Sequence, residues 1–284
     1  MVSVKAIIAA GTATLISSAA FAADMGMPPP APQYQPPAAV AESSGWYLRG
    51  DVGVGVQTFN QFDLGPPSGV PATWAVNQTN IQDATIAGFG VGYELNNWLR
   101  FDVTGEYRTQ AAFSAIGSYS PGTCTVVGVT GTCFDTFNGG FSAAVFMANA
   151  YIDLGTWWCI TPYFGGGVGG AYDRISGVND IGPLPPGTIG FGYAPSNSSS
   201  WNLAWNVQAG LTYNVTNSFK VDFSYRYLNM GSPQSGNIFC QNTGSTGACN
   251  FFNLHDISSQ DFRIGLRWML LPEPVVQQPL MSRG

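Results

Sequence analysis

The chain has 284 residues, of which 9% are charged and 13% are aromatic, and it contains 36 glycines. A soluble domain typically carries about 25% charged residues, and a disordered chain lacks aromatic and β-branched residues, so this composition argues against both classes. The excess of 16 acidic over 10 basic residues also argues against a nucleic-acid partner, because nucleic-acid binding requires a basic patch.

The first 22 residues have the pattern of a secretory signal peptide. Lys5 precedes a short apolar run, and Ala20-Phe21-Ala22 forms an A-x-A cleavage site. The run is too short for a membrane anchor, which needs about 20 apolar residues. Residues 1–22 are therefore expected to be removed on export.

Two Pro-containing segments flank the rest of the chain. Residues 23–44 are rich in Pro and Ala and predict a polyproline-like tether in the periplasm, and residues 271–284 predict a short tail. Residues 45–270 between them form the expected folded domain.

Eight segments of this domain alternate apolar and polar residues, as β-strands do. The clearest is 98–108, where Leu99, Phe101 and Val103 oppose Arg100, Asp102 and Thr104. The predicted strands lie near 48–56, 82–95, 98–108, 139–154, 161–174, 201–213, 219–227 and 261–268. The run of glycines at 165–170 lacks the Lys-Ser/Thr of a phosphate loop, and we expect it to allow close packing in a strongly curved barrel.

Short and long links alternate between these strands. Asn96-Asn97, residues 155–160 and Thr216-Asn217 predict tight turns, whereas the other four links, near 59–81, 113–138, 175–200 and 233–255, are each about two dozen residues long. Outer-membrane barrels have short periplasmic turns and long external loops. The sequence thus predicts an all-β fold, an eight-stranded antiparallel up-and-down transmembrane β-barrel with both termini in the periplasm.

Most basic residues of the chain lie on the polar faces of the predicted strands. An Arg or Lys on the lipid face costs about 2–4 kcal/mol at the midplane of the bilayer, so these faces are expected to line the interior. The expected interior charges are Arg49, Asp51, Arg100, Asp102, Glu106, Arg108, Lys220, Asp222, Arg226, Asp261, Arg263 and Arg267. We favour a filled, structural interior, because eight strands enclose little more than their own side chains, and the alternative is a narrow ion pathway.

Four of the five cysteines form two equally spaced pairs, each within one long link. We predict the disulfides Cys124–Cys133 and Cys240–Cys249, which stiffen external loops or hold them as a binding surface. Cys159 is left as a free thiol, buried or at the membrane interface, with intermolecular pairing as the alternative.

Support for catalysis is thin in this sequence. His255-Asp256 with Ser258 is the one local set that is similar to a Ser/His/Asp triad, but positions 255 and 258 face opposite sides of a strand. No C-x-x-C spacing or Walker motif occurs in the sequence. No catalytic residue, cofactor or metal site is expected, and a lipid-modifying enzyme is a distant alternative.

Several segments resemble the small outer-membrane barrels of alphaproteobacteria, a group similar to the opacity-protein and OmpX/OmpA-like surface antigens. Residues 45–53 resemble the first strand of that family, 161–169 the fifth, 224–227 the seventh and 261–268 the last. The resemblance implies a structural role in the envelope and a surface role as an antigen or adhesin, with no catalytic residues. Sixteen residues follow Trp268, whereas such barrels commonly end on an aromatic residue.

The sequence therefore predicts a non-enzymatic outer-membrane protein, with a narrow porin-like channel as the alternative. The expected partners are outer-membrane lipid, the barrel-assembly machinery, and an extracellular ligand or peptidoglycan. A monomer is expected.

Overall fold

The computed structural model describes residues 45–65, 73–122, 131–184, 188–241 and 248–270. The predicted signal peptide, tether and tail lie outside these residues, as does Cys124. Within the described residues, no helix has the length and apolar character needed to cross a bilayer.

Alternation of side chains with period two produces strands throughout the described chain. On the last strand, for example, buried Asp261, Arg263 and Arg267 alternate with exposed Phe262 and Ile264. The strands are β1 (Gly45–Thr58), β2 (Gln61–Gly65), β3 (Ala75–Ile81), β4 (Ala84–Glu94), β5 (Leu99–Gly122), β6 (Gly131–Asp153), β7 (Ile160–Leu184), β8 (Thr188–Tyr193), β9 (Ser198–Asn214), β10 (Phe219–Asn229), β11 (Ile238–Gln241), β12 (Ala248–His255) and β13 (Ser258–Met269).

Eight of these strands close into a ring of antiparallel neighbours, β1-β4-β5-β6-β7-β9-β10-β13 and back to β1. Cross-strand partners can be followed once around the ring, through Gly55, Asp261, Arg226, Gln208, Gly165, Tyr151, Arg100, Glu94 and Gly45. This path starts at residue 55 of β1 and returns to β1 at residue 45, so the strand register shifts by ten residues around the closed ring. Such a displacement requires tilted strands, and the predicted eight-stranded up-and-down topology is confirmed.

The outward faces of the ring strands form an apolar belt. Val52, Phe89, Val103, Leu203 and Phe262 are each more than half exposed, whereas the residues between them along each strand point inward. Aromatic residues border the belt at the end where the tight turns lie; they include Trp46, Trp98, Trp157, Tyr213 and Trp268. This distribution is typical of a surface that faces lipid.

Side-chain oxygens close two of the tight turns. Asn96 Oδ1 accepts hydrogen bonds from the backbone N–H groups of Trp98 and Leu99 at 3.0 and 2.8 Å. Thr216 Oγ1 accepts in the same way from Ser218 and Phe219. Asn and Thr therefore stand where the chain must reverse within a few residues.

The prediction of four long loops was wrong in part, because much of each long link is β-structure. β5, β6 and β7 continue well past the predicted strand ends, and β2, β3, β8, β11 and β12 pair with them or with each other. We call this part of the sheet, beyond the apolar belt, the extension. Glycine, serine and asparagine interrupt the apolar alternation there, so the sequence pattern is weak.

Candidate functional site

The barrel interior is the candidate site, and its half nearest the turns is filled with paired charges. At the turn end, Glu94 Oε1 accepts from Lys220 Nζ at 2.9 Å and from Arg267 Nη1 at 2.8 Å. Arg267 Nη2 also donates to Asp222 Oδ1 at 3.0 Å, and the Thr212 hydroxyl donates to the same carboxylate oxygen at 2.5 Å. Four strands are thereby joined across the bottom of the barrel.

A second group lies one layer further along the barrel. Arg49 donates to both oxygens of Asp51, at 2.8 and 2.6 Å, and to Asp102 Oδ2 at 2.7 Å. Arg263 Nη2 lies 3.0 Å from Asp51 Oδ1. Tyr151 Oη accepts from Arg49 at 2.8 Å, so a neutral hydroxyl completes the set.

The third group contains the most tightly shared carboxylate. Asp261 accepts from Arg108 at 2.5 and 3.1 Å and from Arg226 at 2.6 and 2.9 Å. Ser259 Oγ donates to the same carboxylate at 2.6 Å. Glu106 Oε1 accepts from both arginines, at 3.1 and 2.6 Å.

Arg100 is held differently, mainly by contacts with two aromatic rings. Its guanidinium carbon lies 4.3 Å from the centroid of the Tyr151 ring and 4.3 Å from that of Tyr163. Its Nε donates to Asp153 Oδ1 at 3.2 Å. These two cation–π contacts stabilise a charge that is completely buried.

The structure places every predicted interior charge inside the barrel. All are buried except Lys220, whose side chain retains 14% exposure. Several of their partners were not predicted from the sequence, namely Glu94, Asp153, Tyr47, Tyr151 and Tyr163. The alternation of side chains along a strand could have indicated Tyr47, because residues 47, 49 and 51 all lie on the same face of β1.

The other half of the interior is largely apolar, which was not predicted from the sequence. Along β5, inward residues change after Arg108 to Ala111, Phe113 and Ala115. Phe62 stacks on Phe252 with ring centroids 4.9 Å apart. We call the buried set the apolar plug; its larger members are Phe62, Phe113, Phe137, Phe141, Met147, Ile175, Met230, Phe252 and Leu254.

Strands from two long links complete the plug. β2 pairs with β12, and each contributes a phenylalanine, Phe62 and Phe252, that is no more than 1% exposed. The Phe137 ring lies 5.2 Å from that of Phe62. These rings form an apolar, closely packed layer among the described residues.

Two carboxyl groups on the inner face of the extension have no cationic partner among the described residues. Asp180 is 8% exposed, and its Oδ1 has no hydrogen-bond partner within the described part of the chain, while its Oδ2 accepts weakly from Asn250 Nδ2 at 3.5 Å. Burial, together with the nearby Asp135 charge, raises the pKa of Asp180 to about 7. Burial raises the pKa of Asp135 to about 6.

The cysteines are placed as follows. Cys240 and Cys249 form a disulfide that joins β11 to β12. Cys133 is buried on β6, and its predicted partner, Cys124, lies outside the described residues. Cys159 is a free, exposed thiol at the end of a tight turn.

His255 and Ser258 are directed to different partners. His255 Nε2 lies 3.1 Å from Asp63 Oδ2, with both side chains substantially exposed. The Ser258 hydroxyl lies 3.1 Å from that of Thr58. Within the described residues, no set of three or more His, Cys, Asp or Glu side chains is arranged to hold a metal.

The closed antiparallel ring, the apolar belt and the charged interior together define the class of outer-membrane β-barrels. Residues 14–269 match the family described as the outer membrane protein beta-barrel domain, and the chain belongs to that family. Its location is therefore the outer membrane of a Gram-negative bacterium.

Curated relatives cover nearly the whole chain. An uncharacterised protein of Brucella abortus is 31% identical over 291 residues, which is 93% of this chain and 96% of the relative. A candidate adhesin of Rickettsia prowazekii is 24% identical over 231 residues, covering 78% of this chain and 86% of that protein.

Solved structures are similar at low identity. Neisserial surface protein A is 17% identical, with a TM-score of 0.42, over 80% of this chain and 99% of that one. OprG of Pseudomonas aeruginosa is 12% identical, with a TM-score of 0.46, over 80% and 97% of the two chains. With TM-scores below 0.5, neither structure adds to the argument from the strand register.

Proposed function

We propose that the protein is a non-enzymatic structural barrel with a closed lumen, and that it presents its long links at the cell surface as an interaction platform. The observation that carries the proposal is the division of the interior. Charges pair with one another in one half, and the apolar plug fills the other.

The extension supports a surface role. β5, β6 and β7 continue beyond the apolar belt, and the Cys240–Cys249 disulfide joins two of the strands that widen this sheet. A rigid sheet loses little conformational entropy on binding a partner. The printed name of the Rickettsia relative, a candidate adhesin, agrees with such a role.

The proposal places the termini and tight turns in the periplasm, as the general plan of outer-membrane barrels suggests. An antibody against residues 75–81, a strand exposed along most of its length, is expected to bind intact cells. An antibody against the 214–219 turn is expected to bind only after the outer membrane is permeabilised. The reverse labelling pattern would reject this orientation and the surface role with it.

A non-enzymatic role agrees with the surroundings of the single histidine. His255 faces Asp63, and Ser258 faces Thr58, so no base is directed at a hydroxyl nucleophile in this region. Lipid hydrolysis or acyl transfer by the folded protein that is lost in a His255→Ala variant would overturn this part of the proposal.

A further inference from the structure

A second exposed apolar surface lies on the outward face of the extension. Phe134, Ile181, Phe191, Tyr193 and Phe239 are 51, 41, 43, 38 and 36% exposed, and we call them the upper aromatic patch. Cross-strand pairing places them together, because Tyr193 is the partner of Phe239 on one side and of Asn179 on the other. Ile181 pairs with Phe191 in the next outward row and with Thr136 of β6, two residues from Phe134 on the same face of that strand.

This patch lies far from the lipid-facing belt. On β7 the belt ends near Tyr172, and the next outward residue, Arg174, is exposed. A strand residue rises about 3.3 Å, and barrel strands tilt by about 35–45°. The path from Tyr172 to Ile181 therefore lifts the patch roughly 20 Å along the barrel axis, beyond the acyl chains.

The chemistry of the patch favours a neutral, hydroxyl-rich partner. Amide and hydroxyl side chains occupy the same outward rows, among them Thr136, Asn179 and Gln241. Within the described part of these rows no side chain is charged, since Asp135 shares the inward parity of buried Cys133 and Phe137, and Asp180 is itself buried. Aromatic rings beside amides are suited to pyranose rings, which stack their C–H faces on the π-surface and hydrogen-bond at their edges.

The position of the patch selects the source of those sugars. The outward face of a barrel strand points sideways, parallel to the membrane plane, towards whatever molecule stands beside the barrel in the same leaflet. In the outer leaflet that neighbour is lipopolysaccharide, whose saccharide rises above the acyl region. A partner on another cell would approach from above and meet the tips of the long links first.

We propose that the upper aromatic patch binds neutral sugar residues of the surrounding lipopolysaccharide. The inference rests on the proposed outward placement of the long links. The disulfide between Cys240 and Cys249 fixes the strand that carries Phe239, so the rings are held in place before a sugar binds.

The test uses the mature protein folded in detergent micelles and the oligosaccharide released from lipid A of its own lipopolysaccharide. Saturation-transfer NMR and calorimetric titration measure binding. A Phe191→Thr/Tyr193→Thr variant is expected to bind at least about tenfold more weakly, since each stacked ring contributes substantially. Val76→Thr, which removes an exposed apolar residue elsewhere on the extension, is the matched control and is expected to bind as the wild type does.

Unchanged affinity in the double variant, or no binding by the wild type, would overturn the proposal. A wild-type dimer in sedimentation that becomes a monomer in the double variant would instead assign the patch to self-association, which also overturns it. If the double variant does not fold, Phe134→Thr at the opposite edge of the patch gives the same comparison. Antibody labelling of intact cells tests the orientation separately, so failure of the surface role is distinguishable from failure of sugar binding.

Discussion

Asp261 accepts hydrogen bonds from two arginines and a serine, and it connects three strands of the ring. Asp261, Arg108 and Arg226 are each no more than 1% exposed. Desolvation offsets most of the attraction within such a group, so its net contribution to stability is modest. Removing one member has a larger effect, because the remaining charges stay buried without a partner.

We therefore expect Asp261→Asn to lower the free energy of unfolding by about 3–5 kcal/mol. The neutral amide leaves Arg108 and Arg226 with Glu106 as their shared carboxylate. Reversible urea unfolding in lipid vesicles, followed by tryptophan fluorescence, measures the change.

Asp63→Asn is the control for this experiment. Asp63 lies 3.1 Å from His255 Nε2, and its side chain is 45% exposed. Because both partners remain in contact with water, we expect a loss of about 1 kcal/mol or less, and equal losses in the two variants would contradict the special position of Asp261.

At the scale of elements, the ring was predictable and the extension was not. Residues 98–108 alternate apolar and charged side chains, and a charge facing lipid is so costly that the direction of each face follows. Beyond Arg108 the inward residues begin with Ala111, Phe113 and Ala115, and the outward ones are Thr109, Gln110, Ala112, Ser114 and Ile116. No charge marks the interior there, and small polar residues suggest a loop by composition alone. Phe113 and Phe137 of the apolar plug lie within the predicted 113–138 loop. The contribution of that segment to the barrel interior was therefore not predicted.

The disulfide between β11 and β12 is expected to stabilise the extension locally. A closed loop of this size contributes about 2–3 kcal/mol, so a Cys240→Ser/Cys249→Ser variant should lose protease resistance within the extension while the ring strands remain protected. Limited proteolysis with mass spectrometry locates the cleavage sites. Cys159→Ser, which removes the free thiol, should leave the pattern unchanged; increased cleavage within the ring would show that the bridge stabilises the whole barrel.

The stability of the extension should also depend on pH through Asp180. Burial raises its pKa to about 7 from an ordinary value of 3.8, so the folded extension favours the protonated carboxyl. This contribution is fully present below about pH 4 and is lost as pH rises through about 7, the pKa of the folded state. Hydrogen exchange of β7 and β8 amides, corrected for the intrinsic pH dependence of exchange, should show weaker protection at pH 8 than at pH 5.

Asp180→Asn is expected to reduce that pH dependence, because it removes the group with the larger shift and the repulsion with Asp135. Asp63→Asn changes an exposed carboxylate in the extension and is the control. The idea fails if the Asp180 variant keeps the full dependence on pH.

For the molecule as a whole, the two halves of the interior have different consequences for transport. The charged half alone would suit a narrow pathway, because cations and anions face a common space. The apolar plug lies in series with it, and its most deeply buried phenylalanines come from four strands, β2, β5, β6 and β12. A solute must pass both halves, so the apolar half determines whether the lumen conducts.

We accordingly expect the mature protein, folded in a planar lipid bilayer, to show no discrete conductance steps. Heat-modifiable migration on a gel confirms that the barrel has folded before the recording. A Phe137→Ala/Phe252→Ala variant removes two plug rings whose centroids lie 6.1 Å apart, and intermittent openings are expected there, because water can enter the space that the rings leave. Neutralising Glu106 or Arg226 in that variant should change the size of the openings, since these charges then border the path. Discrete openings in the wild type that change when Arg100 or Glu106 is neutralised would make the interior charges a conduction pathway and the protein a small porin.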